Sequence, residues 1–248
     1  MSRLDRMTGV ARSLAVYYGI PFRTRRLARL YAPFVAPGGL AFDVGAHAGS
    51  RVRAFRRLGA RVVAVEPQPD FVRLLEALYG RDPEVAIAAA AVGRASGEAT
   101  LHASERTPTV TTLSPAWAAR VGADASFRGV RWLPGARVPV TTLDALIAAH
   151  GRPDFVKLDV EGYESEALAG LSAPVVALSF EYLAAARDVA LDCVDRLCAL
   201  GNYEYNWSRG ERQRLAERAW LEAGAIRAFL RALPAGAGSG DVYARLRT

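Results

Sequence analysis

Phe42-Asp43-Val44-Gly45-Ala46-His47-Ala48-Gly49 closes a short apolar strand, Leu40–Val44, and leads into a helix from Ser50 to Leu58. The glycines permit positive φ and let a ligand approach the backbone closely. Asp43 places a carboxylate beside a loop of backbone donors, where it can accept hydrogen bonds or attract a cationic group. The next strand, Arg61–Val65, is mostly valine and alanine and ends in Glu66-Pro67. Glu66 follows Asp43 by 23 residues, which suits one β-α-β step. An acid at that strand end can take both hydroxyls of a ribose. Pro67 has no N–H to offer and stiffens the turn. Taken singly, Asp43 reads equally well as a helix-start residue and Glu66 as a solvated strand end. As a pair on one β-α-β unit they point to a nucleoside site.

Outward from this unit, strands and helices keep alternating. A helix over Asp70–Tyr79 ends at Gly80, and Val85–Val92 reads as a third strand. Gly97–Ser104 is an added strand, and Thr107–Gly135 is irregular, with Trp117 and Trp132 in it. Val138–Val140 is extended, Thr142–His150 helical, Asp154–Val160 a strand and Ser165–Ala169 a helix. Pro174–Phe180 is an apolar strand, and Arg187–Leu200 an amphipathic helix stopped by Gly201. Asn202–Trp207 and Asp241–Leu246 are the last strands, with a helix over Arg212–Leu233 between them. This alternation predicts an α/β fold, a mostly parallel sheet with helices on both faces. Ligands of such sheets bind beyond the carboxyl ends of the strands.

Two units are expected. Residues 1–36 form an N-terminal helical cap, with Leu14, Tyr17, Tyr18, Leu27, Leu30 and Tyr31 at helical spacing, interrupted by Pro21 and Pro33. Residues 37–248 form the main domain, with an insert at about 104–137.

Of the 248 residues, 51% are apolar and 23% charged, which supplies a full core. The net charge of +7 is carried by arginine, since Lys157 is the only lysine. Together with the abundant alanine this reads as a compositional bias, so no nucleic-acid partner is expected. The basic stretch Phe22-Arg23-Thr24-Arg25-Arg26 reads as a solvated helix face, with a membrane surface or an anionic substrate as the other reading. No apolar run reaches the length of a membrane span, and the start Met1-Ser2-Arg3 lacks the apolar core of a secretory signal. The expected location is the cytoplasm. Cys193 and Cys198 are five apart in a helix and read as free thiols.

The glycine pattern narrows the nucleoside. A dinucleotide site prefers G-x-G-x-x-G, and a phosphate loop ends in Gly-Lys-Ser/Thr; neither occurs here. Adenosine without phosphate fits better. Further along, Asp154-Phe155-Val156-Lys157-Leu158-Asp159-Val160-Glu161-Gly162-Tyr163-Glu164 puts Lys157, Asp159 and Glu161 on one side of a strand. Three charges there are costly if buried and unpaired, so they belong at the strand's end, with Lys157 paired to a carboxylate.

With Asp43–Gly49, Val65-Glu66-Pro67 and Val140-Thr141-Thr142-Leu143-Asp144, this block resembles the FkbM family of S-adenosylmethionine methyltransferases over roughly residues 40–182. The resemblance implies the class I methyltransferase fold, a Rossmann-like, seven-stranded sheet. It implies S-adenosylmethionine as cofactor and O-methylation of a hydroxyl on a natural product, sugar or glycan. It assigns Asp43, Gly45 and Gly49 to the methionine end, Glu66 to the ribose, and the stretch near Ala89–Val92 to the adenine. The cofactor-binding set is then Asp43, Gly45, Ala46, His47, Gly49, Glu66, Pro67 and Ala91. His47 stands where the family usually has asparagine, and Ala88–Ala91 where a polar residue often sits.

Methyl transfer from a sulfonium is an in-line displacement, so the enzyme mostly positions the reactants. A hydroxyl acceptor must also lose its proton. Asp159 is the leading base, Glu161 the second, and Glu181 a third acid at the same edge; Lys157 completes the catalytic set. Two alternatives stay open: a structural ion pair between Lys157 and Asp159, and a magnesium ion shared by Asp159 and Glu181. Tyr163 and Tyr182 are candidates for the acceptor pocket or for the core. Trp117 and Trp132 are weaker candidates for covering the site, and His102 and His150 read as surface or loop residues. The acceptor pocket is expected from the insert and the N-terminal helices. Two rivals remain: a nicotinamide-dependent oxidoreductase, which lacks its glycine triplet and any Tyr-x-x-x-Lys pair, and a silent nucleoside-binding domain of the same fold.

Overall fold

A computed structural model describes residues 19–104, 110–122, 127, 129–234 and 236–247. Leu14, Tyr17 and Tyr18 of the expected cap, and part of the insert, lie outside the described residues.

The main sheet is built from β1 (Leu40–Val44), β2 (Arg61–Val65), β3 (Val85–Ala88), β7 (Phe155–Leu158), β8 (Ala177–Leu183), β9 (Tyr203–Arg209) and β10 (Ser239–Leu246). Its seven strands run in the order β3-β2-β1-β7-β8-β10-β9. All neighbours are parallel except β10, which is antiparallel to both β8 and β9. The chain therefore starts at the sheet's centre, winds to one edge and then crosses to the other half. The crossover from β1 to β7 creates the switch point where such sheets hold ligands.

Every residue of β1 is buried, so its side chains feed two cores by simple alternation. Phe42 and Val44 point into a core with α5 (Leu143–His150), α6 (Glu164–Ala169), α7 (Arg187–Leu200) and α8 (Ala223–Ala232). Ala41 points the other way, to α1 (Arg23–Tyr31), α2 (Ser50–Arg57) and α3 (Pro69–Tyr79). Leu27, Leu30 and Tyr31 of α1 pack in this second core.

Three sequence-based elements come out differently. Val85–Val92 is two strands: after Ala88 the chain turns, and β4 (Ala91–Val92) pairs instead with β6 (Trp132–Thr141) in a second sheet, β4-β6-β5, with β5 at Gly97–Ser104. An alanine run buries little area in either pairing, so its own side chains do not choose. The irregular insert contains α4 (Pro115–Val121), whose Ser114 side chain accepts from the Trp117 N–H at the helix start. The helix expected over Arg212–Leu233 begins only at Ala223. Before it, the chain is tied to β9: the Asn206 side chain accepts from the Glu217 N–H and donates to the Glu217 carbonyl, and Leu221 bridges Tyr205. Tertiary hydrogen bonds override helix propensity there.

Among the described residues no helix is long and apolar enough to cross a membrane. Cys193 and Cys198 are free thiols.

Candidate functional site

The loop after β1 is shaped by its backbone. Gly45 takes φ 81° and Gly49 φ 76°, and a Cβ on Gly45 would collide with the Asp159 carbonyl. His47 also has positive φ, 48°, a conformation in which histidine is one of the better tolerated side chains. That turn aims the His47 N–H at Glu66, whose Oε2 accepts it at 2.8 Å. Glu66 Oε1 accepts the Gln68 N–H at 2.9 Å. Glu66 thus clamps the two loops that follow β1 and β2, and only 2% of it is exposed. Burial pushes its carboxyl up to about 7, while those amide bonds pull the other way. The His47 ring packs on Phe71, centroids 3.8 Å apart, and burial lowers its pKa to about 4, so the imidazole is neutral.

Between these loops opens a pocket of about 760 Å³, its mouth included. Its floor is the Gly45–Ala48 backbone, and Glu66 lines one wall. Ala91 and Val92 of β4, with Leu101 and Leu113, form an apolar slot opposite. The insert joins in through Thr111, whose hydroxyl donates to the Gln68 side-chain oxygen at 3.1 Å.

The adjoining half of the edge is built from charges. Asp43, Lys157 and Ser179 are register partners across β1, β7 and β8, so they share one face of the sheet. Lys157 is fully buried; its ammonium donates to Asp241 Oδ1 at 2.7 Å and to the Leu158 carbonyl at 2.9 Å, with Asp159 Oδ2 at 3.8 Å. Burial alone would lower the Lys157 pKa, but Asp159 and Asp241 outweigh it and hold the group above the ordinary lysine range. Arg51 of α2 pairs with Asp159 at 2.9 Å. Burial pushes the Asp159 carboxyl up, and Lys157 and Arg51 overcome that to hold it below the usual range. Asp43, 1% exposed, has neither carboxylate oxygen in full hydrogen-bond geometry with a described group. Burial raises it to about 6.

A second pocket, of about 650 Å³, lies on this side. Glu161, Glu181 and Asp241 face it, as do Leu30 and Tyr31 from α1. Among the described residues its lining shares only Arg51, Asp159 and Glu161 with the first pocket. Carboxylate oxygens of Asp159, Glu161 and Glu181 lie within 4.8 Å of one another, close enough for the three to hold a divalent cation jointly. Burial, and then Glu181 and Asp159 beside it, push the Glu161 carboxyl well above its ordinary value.

A pocket of ligand size at the switch point stands beside a charged one, on a seven-stranded, mostly parallel sheet. A family model described as the methyltransferase FkbM domain matches residues 43–232. The chain belongs to the FkbM methyltransferase family. No curated protein matches it in sequence. Among solved structures it is similar to a TehB-like SAM-dependent methyltransferase from Corynebacterium glutamicum, at 12% identity and TM-score 0.46, covering 95% of this chain and 94% of that one. It is similar to a chain in the complex of the Haloferax volcanii Trm112 methyltransferase activator with a methyltransferase, at 11% identity and TM-score 0.47, covering 100% and 99%. A SAM-dependent O-methyltransferase from Thermotoga maritima matches at 12% identity and TM-score 0.41, covering 92% and 66%.

In this FkbM-family chain, Gly45, Ala46, His47, Glu66, Pro67 and Ala91 all line the first pocket, and Asp159 and Glu161 line both pockets. Asp43, Gly49 and Lys157 line neither; they lie behind the walls. Gly49 instead starts α2, where a Cβ would press on Tyr79 and Leu75. Tyr163 lines the first pocket, whereas Tyr182, 2% exposed, belongs to the core. Trp117 and Trp132 pack on each other at 6.0 Å and line neither pocket. The insert borders the first pocket, and α1 borders the second. Sequence reasoning missed Arg51, Asp241 and Glu164. Arg51 is one arginine among many, and Asp241 meets Lys157 only through strand order. Glu164 closes the Asp154–Glu164 block, yet its contacts appear only in the fold.

Proposed function

We propose that this FkbM-family protein transfers the methyl group of S-adenosylmethionine to a hydroxyl of a small molecule, sugar or glycan. The observation that carries this reading is the shared wall: two pockets of ligand size that meet at Arg51, Asp159 and Glu161.

The first pocket fits the donor by its chemistry. Glu66 presents buried carboxylate oxygens suited to ribose hydroxyls, and the apolar slot at Ala91, Val92 and Leu101 suits a flat base. The loop backbone and Asp159 would face the methionine end. His47 contributes its N–H to Glu66 and its ring to packing on Phe71, so its replacement of the usual asparagine leaves the loop's geometry served. Bound there, S-adenosylmethionine supplies an electrophilic methyl group on a positively charged sulfur.

The residues at the shared wall divide the remaining work. Asp159 is held ionised by Arg51 and Lys157, which makes it a weak proton acceptor and a fixed negative charge. Among the described residues Glu161 forms no ion pair, and its raised pKa makes it, once ionised, the stronger proton acceptor of the two. We therefore assign Glu161 as the base that takes the acceptor's hydroxyl proton, ahead of Asp159. Lys157 touches neither pocket and acts by holding Asp159 and Asp241 in place.

Calorimetry with S-adenosylhomocysteine tests the donor site. One site per chain with micromolar affinity is expected; no heat from a folded sample removes the reading. Transfer of labelled methyl to hydroxylated acceptors then tests the base: Glu161→Gln should abolish transfer while keeping S-adenosylhomocysteine affinity.

A further inference from the structure

The loop from Asp159 to Tyr163 forms the boundary between the pockets, and its conformation is not one it would choose alone. Glu161 takes φ 52° and Gly162 φ 84°. The left-handed region is unfavourable for a residue with a Cβ, and it persists only where the surroundings impose it. Here Glu164, the first residue of α6, is 2% exposed and makes no contact with either pocket. Its Oε1 accepts the Val160 N–H at 3.1 Å and the Gly162 N–H at 3.3 Å. The Gly162 amide belongs to the peptide that follows Glu161, and the Val160 amide to the peptide between Asp159 and Val160, so one carboxylate oxygen pins the loop both before and after Glu161. From the other side, the Trp117 indole of α4 lies against Gly162, where any Cβ would strike the ring. Glu164 and Trp117 thereby confine the loop at Gly162 together.

We propose that Glu164 is a positioning residue that holds Glu161 in its left-handed conformation and so keeps the Glu161 carboxylate on the wall between the two pockets. This rests on reading the first pocket as the donor site for its binding readout, and on the backbone geometry alone for its stability readout.

Two variants separate the carboxylate's role from its bulk. Glu164→Gln keeps an oxygen that accepts both amides; Glu164→Ala removes it. S-adenosylhomocysteine should bind Glu164→Ala at least tenfold more weakly than wild type, at a temperature where circular dichroism shows it folded, and Glu164→Gln within threefold of wild type. Equal binding by Ala, Gln and wild type overturns the proposal. The second readout needs no ligand. With Glu164 present, Glu161→Gly should melt several degrees higher than Glu161→Ala, because glycine accepts positive φ freely. In the Glu164→Ala background that gap should close, because the loop has relaxed. An unchanged gap overturns the proposal even if the donor binds. Should wild type bind no S-adenosylhomocysteine, the donor reading fails, and the melting comparison decides this inference alone.

Discussion

The first pocket is walled by glycine-shaped backbone, one strand-end acid and small apolar side chains. The second is walled by ionisable side chains, of which Asp159 and Asp241 are held by Lys157 and Arg51. In the β1–β2 half a ligand meets amides and carbonyls whose positions follow from local turns. In the β7–β8–β10 half it meets carboxylates whose charge state depends on partners far away in sequence. The contrast suits a division of labour: a site shaped mainly by backbone, beside a wall of coupled carboxylates where protons can move.

The two halves should therefore fail differently. Lys157→Met removes a fully buried ammonium and leaves the part-buried Asp241 without its cation, and losing one partner of a buried pair costs up to about 3–5 kcal/mol. Urea unfolding should show that loss; a change under 1 kcal/mol would mean the charged half does not depend on its internal pairing. Gly45→Ala strikes the backbone half, adding strain at φ 81° and a clash with the Asp159 carbonyl. S-adenosylhomocysteine affinity should fall about a hundredfold, or close to 3 kcal/mol, and calorimetry measures it.

Glu66 is the exception in the backbone half, since there a side chain is the clamp. Its pKa of about 7 lies above its ordinary 4.5. Between those values the folded state keeps a proton that the unfolded state has lost. Stability therefore falls as pH rises through that window, by up to about 1.4 kcal/mol per pH unit, and levels off above pH 7. Glu66→Gln should flatten this fall in urea titrations at pH 5 and 7, and weaken S-adenosylhomocysteine binding about tenfold through lost acceptor capacity. Parallel stability curves for the two proteins would contradict the buried-clamp assignment. The smallest effect belongs outside both halves: the exposed pair Arg94–Glu166 at 2.9 Å is screened by solvent, so Arg94→Ala should leave urea unfolding almost unchanged.

The same contrast explains what the sequence revealed. Leu40–Val44 and Arg61–Val65 are strands with the expected bounds, because alternation and flanking glycines act locally. Gly45 and Glu66 announced their pocket for the same reason: position at a strand end is a local property. The alanines of residues 88–91 carried no signal for the jump from one sheet to the other. The pairing of Lys157 with Asp241 was illegible because it arises from strand order, which places β10 beside β8. Residues 213–222 read as helix by periodicity, yet Asn206 recruits that segment to β9. The lone lysine did mark a special position, but a buried one behind the wall.

The most direct test is a crystal structure with S-adenosylhomocysteine bound. The ribose hydroxyls should lie within hydrogen-bond distance of Glu66, and the sulfur should face Glu161 with the second pocket beyond it. A nucleoside seated in the second pocket, or a sulfur turned away from Glu161, would contradict the division between donor and acceptor sides.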